Sequence, residues 1–358
     1  MKIPRIPVSL VAVACLSMAA YANSQNKALD VYWIDSEGGG STLIVTPTNE
    51  SVLIDAGNPG GRDPARIVAA VKAAGLTKID YLLITHWHGD HFGGSAELAE
   101  LIPIGTIYQR AIPEGDPDGK TATTFPLRSK SFKAIPAKRE ALAPGVVIPV
   151  HGVAGGARLE IRCLAADQKF IEPTAAQRAA KPQDLGTASA HPPETDIDND
   201  NSAVFLVSFG DFRFFDGGDL TWAHEPKLVQ PVNLVGSVDV YQTNHHGLNR
   251  SNNPIFVRGI SPTVSVMNNG PRKGGSAEIL AMLKELPSLK ASYQLHKSMN
   301  VPPADNPPDA FIANLEEAKP ADKCPANTIQ MSVAPDGKNY TISIPANGHS
   351  TTYATKAK

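Results

Sequence analysis

The segment Tyr81–Gly94 concentrates side chains that can bind a metal ion. Its apolar beginning, Tyr81–Ile84, is typical of a buried strand. Three histidines and an aspartate follow within six residues: His86, His88, Asp90 and His91. Imidazole and carboxylate ligands at this density, on a loop that leaves a strand end, suit zinc or a similar metal. Without a cation these four side chains would repel one another or lack partners, so we predict a metal site here.

The spacing of these ligands indicates room for two ions. His86 and His88 lie two residues apart, so both side chains point to the same side of an extended segment and can chelate one ion. Asp90 and His91 follow a turn and can face a second ion. Asp219 comes at the end of a later predicted strand, where its carboxylate could bridge both metals. His245 and His246 come just after a further predicted strand. Two metal ions with a hydroxide between them would provide a nucleophile at neutral pH.

Length and composition indicate a globular enzyme. The chain has 358 residues, of which 42% are hydrophobic and 19% charged, and this composition excludes a disordered chain. The formal net charge of −2 gives no general attraction to nucleic acid, so we expect no strong nucleic-acid-binding surface.

The N-terminus has the pattern of a secretory signal peptide. Lys2 and Arg5 precede the apolar segment Val8–Ala20, and a small-x-small cleavage site ends at Ala22. We predict that residues 1–22 are removed and that the protein is exported to the periplasm or the extracellular space. Lipid anchoring through Cys15 is the alternative, but the residues before it depart from the usual pattern. No later stretch approaches the roughly 20 apolar residues that span a bilayer, so no transmembrane helix is expected after signal removal.

Alternating strands and helices predict an α/β domain over residues 28–346, followed by a flexible tail at 347–358. Asp63-Pro64 is a helix start, and Ser95–Leu101 is typical of a short helix. The long segment Ala165–Asn201 either covers an active site or is a surface excursion. The predicted strands include Leu29–Ile34, Ser41–Val45, Ser51–Ile54, Ile79–Ile84, Val146–Val150, Arg158–Leu164, Ala203–Phe209, Phe212–Phe215, Val238–Thr243, Thr263–Met267, Thr328–Val333 and Tyr340–Ile344.

Cys163 and Cys324 leave two alternatives open. In an oxidising compartment they could form a disulfide that joins the middle of the chain to its C-terminal part. Two buried free thiols are the other possibility, because sequence does not show whether the Cα atoms lie close enough.

The segment Thr85–His91, Thr-His-Trp-His-Gly-Asp-His, resembles the signature of the metallo-β-lactamase superfamily. The strand that ends in Asp55-Ala56-Gly57, then Gly218-Asp219, then a late histidine, resemble further motifs of that family in the same order. The resemblance covers roughly residues 28–345. It implies a four-layered αββα sandwich with a two-metal site along one edge of the sheets.

The resemblance also implies roles for single residues. His86 and His88 resemble ligands of the first metal, and Asp90 and His91 ligands of the second. Asp219 resembles the bridging carboxylate and His245 the last ligand. His246 would then be a catalytic or substrate-facing residue, although the two histidines could be exchanged. Asp90 would also help to position the attacking hydroxide or move protons, and Asp55 would orient a metal-binding histidine.

One departure concerns the first metal. Most members of the superfamily have a further histidine upstream of the bridging aspartate, whereas this chain has Asn199-Asp200-Asn201-Ser202 there. The first site therefore either uses an oxygen ligand or is incomplete, so that one metal binds tightly. His191 is the nearest spare histidine. Among the remaining histidines, His296 at a strand end is the best placed to line the pocket.

Within the superfamily, the motifs most resemble those of the metallo-hydrolase domain of the bacterial DNA-uptake channel protein. Asn199–Ser202, Gly218-Asp219 and His245-His246-Gly247 with Ser251 carry this likeness, and Leu248 departs from it because that pattern prefers serine. The likeness implies hydrolysis of a phosphodiester. Asn201 and Ser202 are then candidates for supporting or substrate-binding positions, and Lys273 could bind a substrate phosphate unless it belongs to an ordinary charged turn.

The sequence therefore predicts an exported, metal-dependent hydrolase that uses a metal-bound hydroxide, with a small molecule or a phosphodiester as substrate. Zinc is expected as one or two ions per chain, and manganese is possible as a substitute. Hydrolysis of a lactone, a thioester or a β-lactam is the alternative reaction. A non-catalytic metal-binding or scaffold protein is the alternative of another class.

Overall fold

A computed structural model describes residues 28–191, 194–317 and 323–357 of the chain. The predicted signal peptide and its cleavage site lie outside the described residues. Among the helices of the described part, none is long and apolar enough to cross a membrane.

Strands and helices alternate in both halves of the chain, as predicted. The first half has strands β1 Leu29–Trp33, β2 Thr42–Val45, β3 Ser51–Ile54, β4 Ile79–Leu83, β5 Ile104–Gln109 and β6 Lys138–Ala141, with helices α1 Arg62–Ala73, α2 Ser95–Leu101 and α3 Phe125–Lys133. The middle has β7 Leu159–Ala166, β8 Lys169–Phe170, helix α4 Ala175–Ala179 and a 3-10 helix Ile197–Asn201.

The second half begins with β9 Val204–Phe209, β10 Phe212–Asp216 and β11 Val240–Gln242, with 3-10 helices at Glu225–Leu228 and Asn244–Gly247. It continues with α5 Pro254–Ile260, β12 Val264–Met267, α6 Ala277–Glu285, β13 Ala291–His296 and β14 Ile312–Asn314. The last strands are β15 Ile329–Val333, β16 Asn339–Ile344 and β17 His349–Ala354.

These strands form two mixed sheets. The first has the order β17-β16-β15-β1-β2-β3-β4-β5-β6, in which β3 to β6 are parallel and the other neighbours antiparallel. The second has the order β14-β13-β12-β11-β10-β9-β7-β8, in which β10 to β14 are parallel. Each parallel run directs the carboxyl ends of its strands to a common edge, and loops at such edges are where α/β sheets place their ligands.

Three apolar clusters show that the sheets and helices form four layers. The first cluster lies between the sheets and joins side chains of both, such as Trp33 and Phe214, whose ring centroids are 5.6 Å apart. The second packs α1 to α3 on the outer face of the first sheet, and the third packs α5 and α6 on the outer face of the second. Neighbouring strand residues divide between clusters, since Ile44 faces the other sheet and Leu43 faces the helices. The predicted αββα sandwich is confirmed.

Helix α1 shows how local sequence sets these layers. Pro64 lies in its first turn, where its fixed φ and missing N–H cost nothing, and Asp63 is acidic at the positive end of the helix. Ile67 and Val71, one turn apart, are fully buried against the first sheet. The helix ends just before Gly75, whose φ of +76° disfavours other residues.

Some predicted elements differ from the structure. Val146–Val150 is not a strand and contributes only an isolated bridge between Val147 and Arg162. The predicted flexible tail instead contains β17, in which Tyr353 stacks on Tyr340 of β16 at a centroid distance of 5.4 Å. The polar composition of this edge strand concealed it, because only alternate side chains pack on the sheet.

Candidate metal centre

Four loops at one edge of the sandwich meet at the predicted metal site. In the first sheet, β3 ends just before Asp55 and β4 ends before Thr85–His91. In the second sheet, the parallel neighbours β10 and β11 end before Asp219 and before the turn Asn244–Gly247. Trp33 Nε1 donates a hydrogen bond of 2.8 Å to Gln242 Oε1, which ties the two sheets together beside the site.

The structure brings the candidate ligands together in two groups that share one carboxylate. The first group is His86, His88 and Asp219, and the second is Asp90, His91, Asp219 and His246. Within each group the ligand atoms lie within 4.8 Å of one another. The expectation that Asp219 stands between two sites therefore agrees with its position.

The second group has the spacing of a tetrahedral metal site. His91 Nε2 lies 3.2 Å from Asp219 Oδ2, 3.3 Å from His246 Nε2 and 3.4 Å from Asp90 Oδ2. His246 Nε2 lies 3.4 Å from Asp90 Oδ2 and 3.5 Å from Asp219 Oδ2. Four ligands at the usual zinc bond lengths of about 2.0–2.1 Å are separated from one another by roughly 3.3 Å. The residues therefore fit a zinc-type ion.

The first group is less regular. His86 Nε2 is 2.9 Å from His88 Nδ1 but 3.8 Å from Asp219 Oδ2. It contains three donors where the second group has four. A full set of four would need a further donor, as the missing histidine already suggested.

The segment where that histidine was expected lies beside the metal loop. Asp198 accepts hydrogen bonds from the Trp87 backbone at 2.6 Å and from Arg110 Nη2 at 2.7 Å. Asn199 is buried, and neither polar atom of its side chain has a hydrogen-bond partner in the described part of the chain. His191 does not fill the gap, because its ring packs on Trp222 at 4.0 Å and contacts Glu278.

His246, not His245, belongs to the second group. Sequence reasoning preferred His245 as the ligand and His246 as a catalytic or substrate-facing residue, and the geometry favours the exchanged assignment. The reason is backbone conformation. Both residues are left-handed, with φ of +53° and +56°, and this tight turn directs the His246 ring to the donors. His245 remains 3.6 Å from Asp219 Oδ2, and its Nδ1 lies 3.3 Å from Ser251 Oγ.

Two carboxylates orient the metal-binding histidines. Asp55 Oδ2 accepts from His91 Nδ1 at 2.7 Å, which leaves His91 Nε2 for a metal, and Asp55 Oδ1 accepts from the Thr85 backbone. Asp118 Oδ2 accepts from His88 Nε2 at 2.9 Å, which leaves His88 Nδ1. The supporting position predicted for Asp55 thus agrees with its contacts. Sequence reasoning missed Asp118, whose signal is the turn sequence Asp116-Pro117-Asp118-Gly119.

Charges in the site favour the ligand forms of most donors. Burial raises the pKa of Asp219, but His91 and His246 outweigh it and hold that pKa well below its ordinary value. Burial and the neighbouring His91 and His88 keep the pKa of His86 well below its usual range, so His86 is neutral. Burial also lowers the pKa of His91, but Asp219 and Asp90 raise it well above normal. A metal ion entering the second group therefore competes with a proton on His91.

Of the other predicted site residues, Ser202 and Lys273 contact the ligand groups and Asn201 does not. Ser202 Oγ accepts from the Asp219 backbone N–H at 3.3 Å and so supports the shared carboxylate. Asn201 instead donates to Asp198 at 3.3 Å. Lys273 Nζ forms an ion pair with Asp90 Oδ2, which places a cation directly at the second group.

A third group of donors lies close by but is already neutralised. Asp35, Glu37, His296 and Cys324 have ligand atoms within 4.8 Å of one another. Asp35 accepts from His296 Nε2 at 2.8 Å and from Arg66 Nη1 at 3.0 Å, and burial raises the pKa of the Cys324 thiol to about 12. Arg66 occupies the place of a cation, so we interpret this group as a buried polar network. His296 belongs to it rather than lining the pocket, and Cys163 and Cys324 are both buried free thiols.

Comparisons with known proteins show which families parts of the chain resemble. Residues 35–157 match the family model described as the metallo-beta-lactamase superfamily. Over 100 residues the chain is 34% identical to an atrochrysone carboxyl ACP thioesterase of Passalora fulva. The aligned stretch covers 27% of this chain and 29% of that protein. Over 248 residues the chain is 24% identical to competence protein ComA of Neisseria gonorrhoeae. This aligned stretch covers 69% of the chain and 28% of that protein. The predicted likeness to a bacterial competence protein is confirmed at the level of this sequence match.

The chain thus spans less than a third of the length of either curated relative. Among solved structures, a diphosphatase from the PhnP family aligns with a TM-score of 0.40 and 12% identity, covering 75% of this chain and 95% of that one. CmlA, a diiron beta-hydroxylase from Streptomyces venezuelae, aligns with a TM-score of 0.36 and 13% identity, covering 67% and 44%. The match to the metallo-β-lactamase superfamily thus lies in residues 35–157, and the two sheets with their outer helices form the αββα sandwich that this family match leads one to expect.

Proposed function

We propose that this protein is an exported, metal-dependent hydrolase that cleaves a phosphodiester. The observation that carries the proposal is the set of four donors around Asp90, His91, Asp219 and His246, whose spacing of 3.2–3.5 Å fits a zinc-type ion. The catalytic domain is proposed to comprise residues 28–346 together with β17, His349–Ala354, which belongs to its first sheet. Zinc is the proposed metal, with manganese as a possible substitute.

Bound metal would supply Lewis acidity that activates water and stabilises the negative charge developing on the substrate. The chain's own residues provide the positioning. Asp55 and Asp118 hold His91 and His88 in the tautomers that present Nε2 and Nδ1 to the site. Asp219 lies between the two groups, and its carboxylate is kept ionised by the surrounding imidazoles.

Asp90 and Lys273 are proposed to act on water and substrate. Burial raises the pKa of Asp90, but Lys273 and His91 lower it well below its ordinary value, so the carboxylate can accept a hydrogen bond from the attacking water. Lys273, whose Nζ pairs with Asp90 Oδ2 at the second group, would supply the positive charge that binds a non-bridging phosphate oxygen. His245 is proposed to contact the substrate, because its Nε2 lies 3.6 Å from Asp219 Oδ2.

A thioester is the second candidate substrate. It is supported by the thioesterase name of the Passalora fulva relative, which matches 27% of this chain. The phosphodiester stands first because the match to the competence protein covers 69% of the chain and because the site carries the cation Lys273.

One experiment separates these proposals. Chelator-treated protein is reloaded with zinc or manganese and assayed on bis(4-nitrophenyl) phosphate, a thioester, a lactone and a cephalosporin. We expect metal-dependent hydrolysis of the phosphodiester, its loss in Asp219→Ala, and its retention in Asp305→Ala, which removes an exposed carboxylate elsewhere.

Hydrolysis of the thioester alone would replace the proposed substrate class. Less than about 0.2 equivalents of bound metal, together with no turnover, would refute the enzyme and favour a scaffold role. Export is tested separately by sequencing the N-terminus of protein recovered outside the cytoplasm, which should begin after Ala22.

A further inference from the structure

A small cavity opens beside the first metal group. It has a volume of about 170 Å³, and His88 forms part of its wall. Trp87, Phe92 and Phe125 give it an apolar side, whereas Lys120 and Arg128 give it cations. Pockets that take a whole small-molecule ligand measure about 300–1,000 Å³. This cavity therefore has room for an end group of a substrate rather than for all of it.

Arg128 is a cation without a partner in this cavity. The side chain is half-buried, and it makes no hydrogen bond or ion pair with any residue in 28–191, 194–317 or 323–357. Its guanidinium lies against Gly89 of the metal loop. A Cβ atom at position 89 would lie 3.3 Å from Arg128 Cζ and would clash with Nη1. Glycine at this position thus lets the guanidinium approach the backbone beside His88.

The other charges of the cavity are already paired. Lys120 Nζ lies 2.9 Å from Asp118 Oδ2 and 2.7 Å from Asp196 Oδ1. Asp118 also accepts from His88 Nε2 and from the Asp198 backbone. Asp116 accepts from the backbone of Asp118 and of Lys120. These contacts leave Arg128 as the positive charge available to a ligand.

We propose that Arg128 binds an oxyanion, a carboxylate or a phosphate, carried on an apolar end group of the substrate. The planar guanidinium can donate two parallel hydrogen bonds to such a group, and the apolar side of the cavity holds the carbon atoms attached to it. Arg128 is thus a specificity-determining residue, and the substrate carries a second anionic group away from the bond that is cleaved. This inference rests on the proposed hydrolase function for its biological meaning.

The kinetic test uses two 4-nitrophenyl phosphodiesters that differ only in a distal carboxylate or the matching carboxamide. We expect Arg128→Gln to raise KM for the carboxylate substrate about tenfold or more, with kcat within about twofold of the unchanged protein. The carboxamide substrate should show no change. Arg128→Lys should restore part of the loss. Lys130→Gln is the matched control, since it removes a charge from an exposed position of the same helix.

A binding measurement tests the inference independently of turnover. Metal-free protein is titrated calorimetrically with phenyl phosphate, benzoate and benzamide. We expect one or both anions to bind, benzamide to bind weakly, and Arg128→Gln to lose the anion. Preference for phenyl phosphate or for benzoate identifies the oxyanion.

Absence of anion binding, or equal binding to the Arg128→Gln variant, would overturn this inference even if the protein hydrolyses phosphodiesters. Arg128-dependent binding without any hydrolysis would instead leave the anion site standing and refute the proposed function.

Discussion

Replacing Asp219 by alanine is expected to weaken both metal sites at once. Its carboxylate belongs to both ligand groups, and its Oδ2 lies between 3.2 Å and 3.8 Å from the Nε2 atoms of His91, His246 and His86. Structural zinc sites with four ligands bind with about 10–16 kcal/mol in total, which is roughly 3 kcal/mol for each ligand. Loss of one ligand therefore weakens each site about hundredfold.

Single-site variants provide the comparison. His88→Ala should weaken only the first site, because His88 belongs to the first group alone, and His246→Ala should weaken only the second. His245→Ala should retain both metals, since His245 lies outside both groups. Asp219→Ala should resemble the sum of the His88 and His246 variants.

The assay is a competition titration of metal-free protein with a chromophoric zinc chelator, supported by elemental analysis. Circular dichroism of each variant checks that the fold is retained. Two unchanged tight sites in Asp219→Ala would refute the shared carboxylate. Loss of the second metal in His245→Ala, with retention in His246→Ala, would show that the sequence-based preference for His245 is correct.

Other predictions concern pH, ligand orientation, the cysteines and the core. Burial raises the pKa of Asp216 from 3.8 to about 7, so its contribution to stability is complete below the unfolded pKa and is lost as the pH rises through about 7. The metal-free protein should thus lose up to about 4 kcal/mol of unfolding free energy from this group between about pH 4 and pH 7. In urea titrations at several pH values, Asp216→Asn should reduce this dependence of the unfolding free energy on pH. An unchanged pH dependence in the variant would contradict the assignment. Asp55→Asn should lower affinity for the second metal about 10–100-fold and Asp118→Asn that for the first, as measured by the same chelator competition, and a reversed pattern would count against the assigned tautomers. Cys163 and Cys324 should react with a thiol reagent only after unfolding, and a disulfide between them in mass spectra would contradict the free thiols. Phe214→Ala should cost about 3–5 kcal/mol in urea unfolding because Phe214 is fully buried between the sheets, and a loss below about 1 kcal/mol would show that the core collapses around the gap.

Features that depend on neighbouring residues could be predicted from the sequence. The apolar run before Thr85 and the close spacing of His86, His88, Asp90 and His91 predicted a strand followed by a metal loop. Asp63-Pro64 predicted the beginning of α1, and runs of apolar, β-branched and aromatic residues predicted most strands within one or two residues. These signals are local, because hydrophobic period, helix starts and ligand spacing act within a few residues. The prediction of a flexible tail was wrong because local signals alone do not show that β17 becomes a strand by pairing with β16.

Only the tertiary structure decided which side chains meet. Residues 245 and 246 have the same side chain, and two successive left-handed backbone conformations determine which ring joins the second metal group. Asp118 reaches His88 from a loop thirty positions further along the chain, and Arg128 reaches Gly89 from helix α3. Residue type and spacing therefore predicted a group of metal ligands at this strand end. The packing of distant loops, which no local pattern encodes, decided how its ligands are held and which charge beside them remains free.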